Sequence, residues 1–276
     1  MLINPHLKIK SPVIIGAIYI PPFLPPVVDK VDESLLCDIE QFICEEAAKW
    51  ADAGAQGVYL QNSFHFPYSS GAAPETLTIL TRLALAVKKR IKISLGLVME
   101  EHDPSGMMAI ARAVPLDFLR VKVYVGAMVK AGGIISGCAG IIQRKRWELG
   151  LTDTTTILAD VYDRTGKPLA ALPLGEMCRQ AVKFAHADGL ILTGFSFDES
   201  LKMLKEARDV TSGSVPLFLG GSSRIDNLEE TFAYAQGCVL YSSVVETDRS
   251  APAGWQDRVN KANLQAYMDK ARQFTF

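Results

Sequence analysis

The chain has 276 residues, 49% of them hydrophobic, and a formal net charge of −1. That length suits one α/β barrel better than two average domains, because such barrels run to about 250 residues as a single unit. The balanced charge leaves no basic footprint for nucleic acid, so small ligands are favoured over long polyanions. Cys37, Cys44, Cys138, Cys178 and Cys238 are scattered and odd in number, and they match neither a disulfide framework nor a metal motif. They read as reduced thiols of a cytoplasmic protein.

The first twelve residues carry no secretory signal pattern and are read as a short N-terminal extension. The apolar run Val13–Val28 is broken by four prolines and is too short to span a bilayer, so no membrane insertion is expected. From there, short β-branched or aliphatic runs alternate with stretches whose apolar residues recur every three or four positions. The runs are Val13–Ile20, Gly57–Gln61, Ile93–Val98, Phe118–Val123, Thr156–Val161, Gly189–Thr193, Pro216–Leu219 and Cys238–Tyr241. The helical stretches between and after them are Ser34–Ala53, Pro74–Lys89, Ser105–Ala113, Gly137–Leu149, Leu174–Ala187, Glu199–Val210, Asn227–Ala235 and Trp255–Arg272.

Local chemistry supports these boundaries. Asp32 or Ser34 suits the N-cap of the first helix, Pro74 the first turn of the second, and Asp198 the cap of the sixth. Eight strict alternations predict one (β/α)₈ barrel, an α/β fold in a single domain over residues 1–276, closed by a C-terminal helix at about 255–272.

In such a barrel the active site lies at the C-terminal ends of the strands. The Leu219–Ser223 stretch, LGGSS, and the later CVLYSS stretch, Cys238–Ser243, would then end strands seven and eight, the usual phosphate-holding pair. Gly220, Gly221, Ser222, Ser242 and Ser243 are the candidate phosphate-binding residues, with the N–H groups of the helix after strand seven pointing at the anion. Arg120 and Lys122 alternate onto one face of strand four, and Asp160 ends the neighbouring strand.

Lys122 and Asp160 are therefore the candidate catalytic pair, for proton transfer or Schiff-base chemistry. A buried ion pair holding the barrel together is an equal reading. Asn62, Arg120 and Thr193 are candidate substrate-binding residues. Glu100, Glu101, His102 and Asp103 match no metal motif, and Glu100 and Glu101 are read as a solvated rim; no metal or cofactor is called for. The loop holding Phe64, His65, Phe66 and Tyr68 either closes over ligand or packs its aromatics across the mouth or against a second subunit.

Several segments resemble the BtpA/SgcQ family of ribulose-phosphate-binding-type barrels. They are GAIYIPPFLP, GVYLQNSF, PETLTILTRLALAVK, the long DFLRVKVYVGAMVKAGGIISGCAGIIQRKRWELG, ILADVY, GLILTGF, LFLGGSS and VLYSS. Family members usually carry His at Tyr19, an acidic residue at Gln61, Asn at Val98, and Asn at Lys122, so the resemblance implies either an altered substrate or lost catalysis. It also implies two classes of function. One is an enzyme of sugar metabolism acting on a phosphorylated sugar or sugar-like compound, as isomerase, lyase or nucleosidase. The other is a non-catalytic assembly or regulatory factor of the photosystem I biogenesis type. The apolar content makes a homo-oligomer a reasonable partner state.

Overall fold

The computed structural model describes residues 9–25, 27–65, 68 and 70–276. Eight parallel strands close on one another in chain order: β1 Val13–Tyr19, β2 Gly57–Gln61, β3 Ser94–Val98, β4 Phe118–Val121, β5 Thr156–Asp160, β6 Gly189–Leu192, β7 Leu217–Leu219 and β8 Gly237–Leu240. The ring shuts where β1 pairs with β8, Val13 against Gly237 and Gly16 against Leu240. The helices outside are α1 Glu33–Ala53, α2 Pro74–Arg90, α3 Pro104–Ala113, α4 Ala139–Glu148, α5 Leu174–Arg179, α6 Phe197–Thr211, α7 Leu228–Phe232 and α8 Lys261–Ala271. This is the (β/α)₈ architecture expected, with each strand end within two residues of its sequence reading.

The caps explain where the helices begin and end. Asp32 accepts from Leu35 N at 3.1 Å, and Gly54 ends α1 in the left-handed region at φ 83°. At α6 the cap is Ser196, whose hydroxyl accepts from Glu199 N at 3.1 Å, rather than Asp198, which lies inside the first turn. Each strand is apolar on both faces because it packs both ways. Inward, Val13, Ile15, Ala17, Tyr59, Val98, Phe118, Leu158, Ile191, Phe218 and Val239 fill the barrel. Outward, a larger cluster joins strands to helices, including Trp50 of α1, wholly buried over Gly16. A Cβ at Gly16 would stand 2.4 Å from the indole, so this close approach requires glycine. An aromatic side chain of this kind buries roughly 150–250 Å², worth about 4–6 kcal/mol before entropy is subtracted.

Two additions are absent from the alternating reading. Ala127–Lys130 and Gly133–Ser136 form a hairpin whose first strand also pairs with Lys167–Pro168, making a three-stranded antiparallel sheet after β4. Val245–Thr247 pairs antiparallel with Asp257–Val259 where a helix from Trp255 was expected. The closing helix starts instead at Lys261, capped by Asn260, which accepts from Asn263 N at 2.9 Å. Among the described residues no helix is long and apolar enough to cross a membrane.

Candidate functional site

Side chains on a strand repeat every second residue, so each residue two beyond an interior one points into the same space. From Ala17, Tyr59, Val98, Phe118, Leu158, Ile191, Phe218 and Val239 this step reaches Tyr19, Gln61, Glu100, Arg120, Asp160, Thr193, Gly220 and Tyr241. All eight line one cavity of about 390 Å³ at the C-terminal mouth. Lys122, Lys130, Asp163, Arg164, Gly221, Ser222, Ser223 and Ser242 extend its polar wall, with Ser63, Tyr68, His102 and Thr165 beside them.

The same parity removes Asn62 from the cavity. It is fully buried one residue out of phase, its amide donating to Glu101 Oε2 at 2.6 Å and its carbonyl accepting from Glu100 N at 3.1 Å. Asn62 thus orients the end of β3 and does not line this cavity. Glu101 is 8% exposed and Glu100 lines the cavity, so neither is a solvated rim. Burial raises the Glu101 carboxyl, with Asn62 working against the shift. His102, which also lines the cavity, bonds to the Ser136 carbonyl at 2.9 Å, and Asp103 caps α3 through Gly106 N at 2.8 Å, so these four consecutive residues do not converge on one point. Among the described residues no three His, Cys, Asp or Glu side chains converge as a metal site.

The expected Lys122–Asp160 pair is replaced. Arg120 reaches up its own strand and takes Asp160 in a two-pronged bridge, Nε to Oδ2 at 2.8 Å and Nη2 to Oδ1 at 2.7 Å, and gives Nη1 to the Tyr59 hydroxyl at 3.0 Å. A planar fork fits a carboxylate better than a point charge does. Burial works to lower the Arg120 pKa, yet the charge of Asp160 and the hydroxyl of Tyr59 hold it well above its ordinary value. Lys122 lies 3.8 Å from Glu100 Oε1 and 3.8 Å from Asp163 Oδ1, and it makes no hydrogen bond among the described residues. Its donors face the cavity unspent.

Asp163 is nearly buried, yet the Lys122 and Lys130 ammonium groups outweigh desolvation and hold its carboxyl well below 3.8. It bonds Lys130, and Thr165 donates through its hydroxyl at 2.8 Å. Gln61 donates to Glu100 Oε1 at 2.6 Å, leaving its own carbonyl buried and, among the described residues, unpartnered. The Tyr19 and Tyr241 rings meet at 4.4 Å along the floor, and burial beside Tyr59 pushes Tyr19 up to about 12.

On the opposite wall, Gly220 passes so close to Thr193 that a Cβ would lie 1.8 Å from its hydroxyl, which is buried and has no partner among the described residues. Ser222 sits at φ 62°. Among the described residues the backbone N–H groups of Gly221, Ser222, Ser223 and Ser242 have no protein acceptor. Ser243 lies outside the cavity wall and gives its hydroxyl to the Ser223 carbonyl at 2.8 Å. Behind this loop Ser223 shares a 2.5 Å hydrogen bond with the wholly buried Tyr267 of α8, whose hydroxyl is also 3.1 Å from Cys238 Sγ. The helix expected to aim at the anion is only a single 3₁₀ turn, Ile225–Asn227, and the five-residue α7, so the loop N–H groups stand without a macrodipole.

After β2, His65 accepts from Phe23 N at 3.1 Å and its ring meets Phe23 edge-on, while Ser63 and Tyr68 line the cavity. Phe66 lies outside the described residues.

A family profile described as the BtpA family matches residues 10–272. The chain belongs to the BtpA family. The photosystem I biogenesis protein BtpA of Synechocystis sp. is 28% identical over 203 residues, 72% of this chain and 70% of that protein. An uncharacterized protein of Pyrococcus horikoshii is 26% identical, covering 86% of this chain and 89% of its own length. Among solved structures, N-(5'-phosphoribosyl)anthranilate isomerase from Pyrococcus furiosus superposes with a TM-score of 0.52 at 11% identity, over 95% of this chain and 100% of that one. At that identity the likeness is one of fold.

Proposed function

We propose that this BtpA-family chain is an enzyme acting on a phosphorylated sugar or sugar-like small molecule at the barrel mouth. The observation that carries the reading is the unspent Lys122 ammonium between two carboxylates, facing across one cavity towards the unpartnered N–H groups of the β7 and β8 loops. An anion on the loops would place the rest of the molecule against Lys122. Glu100 is the freer proton partner, because Asp160 is committed to Arg120 and Asp163, equally distant from Lys122, is held as a carboxylate by its two lysines. Lys122 works as a charged donor or anchor, and Arg120–Asp160 serves as the rigid floor beneath it. A barrel retained only for protein contacts has no need of an open polar cavity, which favours the enzymatic reading over an assembly role.

The test is a panel of sugar phosphates and their unphosphorylated parents, scored first by thermal shift and then by turnover. Lys122→Met is expected to abolish both binding and turnover, and Lys122→Arg to keep part of the binding alone. Borohydride trapping of a carbonyl substrate onto Lys122 would refute the donor role. Equal stabilisation by phosphorylated and unphosphorylated compounds would remove the phosphate.

A further inference from the structure

We propose that Arg164, on the loop after β5, is the cationic arm of the anion site, and that the group held there is a phosphate monoester in its dianionic form. This rests on the phosphate reading above and adds the residue that selects for charge.

The charges around the cavity are Arg120, Lys122, Lys130 and Arg164 against Glu100, Asp160 and Asp163. Arg120 is spent on Asp160 and Lys130 on Asp163, while Lys122 stands between Glu100 and Asp163. Arg164 alone has neither ion pair nor hydrogen bond among the described residues. The two acids of the adjoining groove do not claim it either. Glu199 accepts from Phe195 N at 2.7 Å and Glu206 from Gly175 N at 2.8 Å. The surplus positive charge of the mouth is therefore this guanidinium.

Its position fixes what it serves. Arg164 Nη2 lies 4.0 Å from the point where a Cβ on Gly221 would be, directly over the Gly-Gly-Ser-Ser loop. That loop offers free N–H groups but no long helix behind them, so full charge must come from a side chain. A second, independent feature points to the same spot. The Thr193 hydroxyl, on a residue 6% exposed, has no partner among the described residues and lies against Gly220 on the cavity wall. Loop N–H groups, a buried hydroxyl and a planar two-pronged cation make up a donor set suited to a phosphate with several acceptor oxygens.

The experiment is calorimetry with sn-glycerol 3-phosphate and glycerol, from about pH 5 to 8, spanning the phosphate's second pKa near 6. It uses the full chain and its Arg164→Gln, Arg164→Lys and Gly221→Val variants. Glycerol phosphate is expected to bind the unaltered protein more tightly as the pH rises and the dianion forms. Arg164→Gln should bind about ten- to hundredfold more weakly at the upper end, and its pH dependence should flatten. Arg164→Lys should recover part of the loss. Arg164 is exposed, so these changes leave the core intact. Unchanged affinity in Arg164→Gln, with binding weakened by Gly221→Val, overturns the arm and leaves the phosphate in place. Glycerol phosphate binding no tighter than glycerol to the unaltered protein overturns both.

Discussion

Removing Asp160 tests whether the Arg120 bridge is the strut of the barrel. Arg120 and Asp160 are 5% and 4% exposed, and the guanidinium spends three of its nitrogens on Asp160 and Tyr59. Asp160→Ala leaves a buried cation with only a tyrosine hydroxyl, a change that typically costs about 3–5 kcal/mol. For a chain of this size that corresponds to a fall of roughly 6–20 °C in the unfolding midpoint. Replacing both partners, Arg120→Met with Asp160→Leu, removes the charge along with its counter-charge and should recover most of the loss. The Tyr59 hydroxyl, then orphaned, holds back about 1–3 kcal/mol until Tyr59→Phe is added. Lys122→Met serves as the control, since that side chain makes no hydrogen bond and should cost much less. Urea unfolding followed by circular dichroism reads all four variants. If Asp160→Ala costs less than Lys122→Met, or the paired replacement is no better than Asp160→Ala alone, the bridge is not the strut.

Asp163 gives a pH signature with a definite sign. Its folded pKa lies below the ordinary 3.8, so its contribution is present above that value and is lost as the pH falls through the folded one. Asp163→Asn should be clearly less stable than the unaltered protein at neutral pH, and the gap between them in denaturation midpoint should close in acid. Gly220→Ala forces a Cβ to within 1.8 Å of the Thr193 hydroxyl and 2.6 Å of Ile191. A thermal melt should show a loss of about 1–3 kcal/mol, partly restored by adding Thr193→Ala. Tyr267→Phe removes one hydroxyl bridging Ser223 and Cys238 and should cost about 0.5–1.5 kcal/mol in urea, together with weaker binding of glycerol phosphate.

The barrel was legible because burial on both faces leaves a signature that little else mimics, short runs such as Ile14, Ile15 and Ile18 followed by a capped helix. The hairpin after β4 was hidden by scale. Its strands are four residues each, two bulky apolar residues on them face solvent, and the helix-like continuity of the following segment outweighs the Ala131-Gly132 turn. The site was half legible. Stepping by two from Phe118 places Arg120 and Lys122 correctly, and the same rule applied to Tyr59 selects Gln61 over Asn62. Pairing was another matter. Strand spacing sets Lys122 beside Asp160, but an arginine from one layer below reaches the same carboxylate with two bonds and displaces it. Arg164 sits beyond a strand end, where neither periodicity nor register says which way a side chain turns.

The Tyr267 hydroxyl joins the last helix to the loop beside the cavity, and that loop adjoins the seam where β8 meets β1. The ring closes there by contacts between opposite ends of the chain, the most expensive in loop entropy. The polar mouth is therefore completed by the last element of the chain. An anion held by the loops, as proposed, would be thermodynamically linked to the docking of α8, each strengthening the other. Occupancy at the mouth would then act as a clasp on the circle, and slower hydrogen exchange along α8 and β1, far from the bound group, is its expected sign.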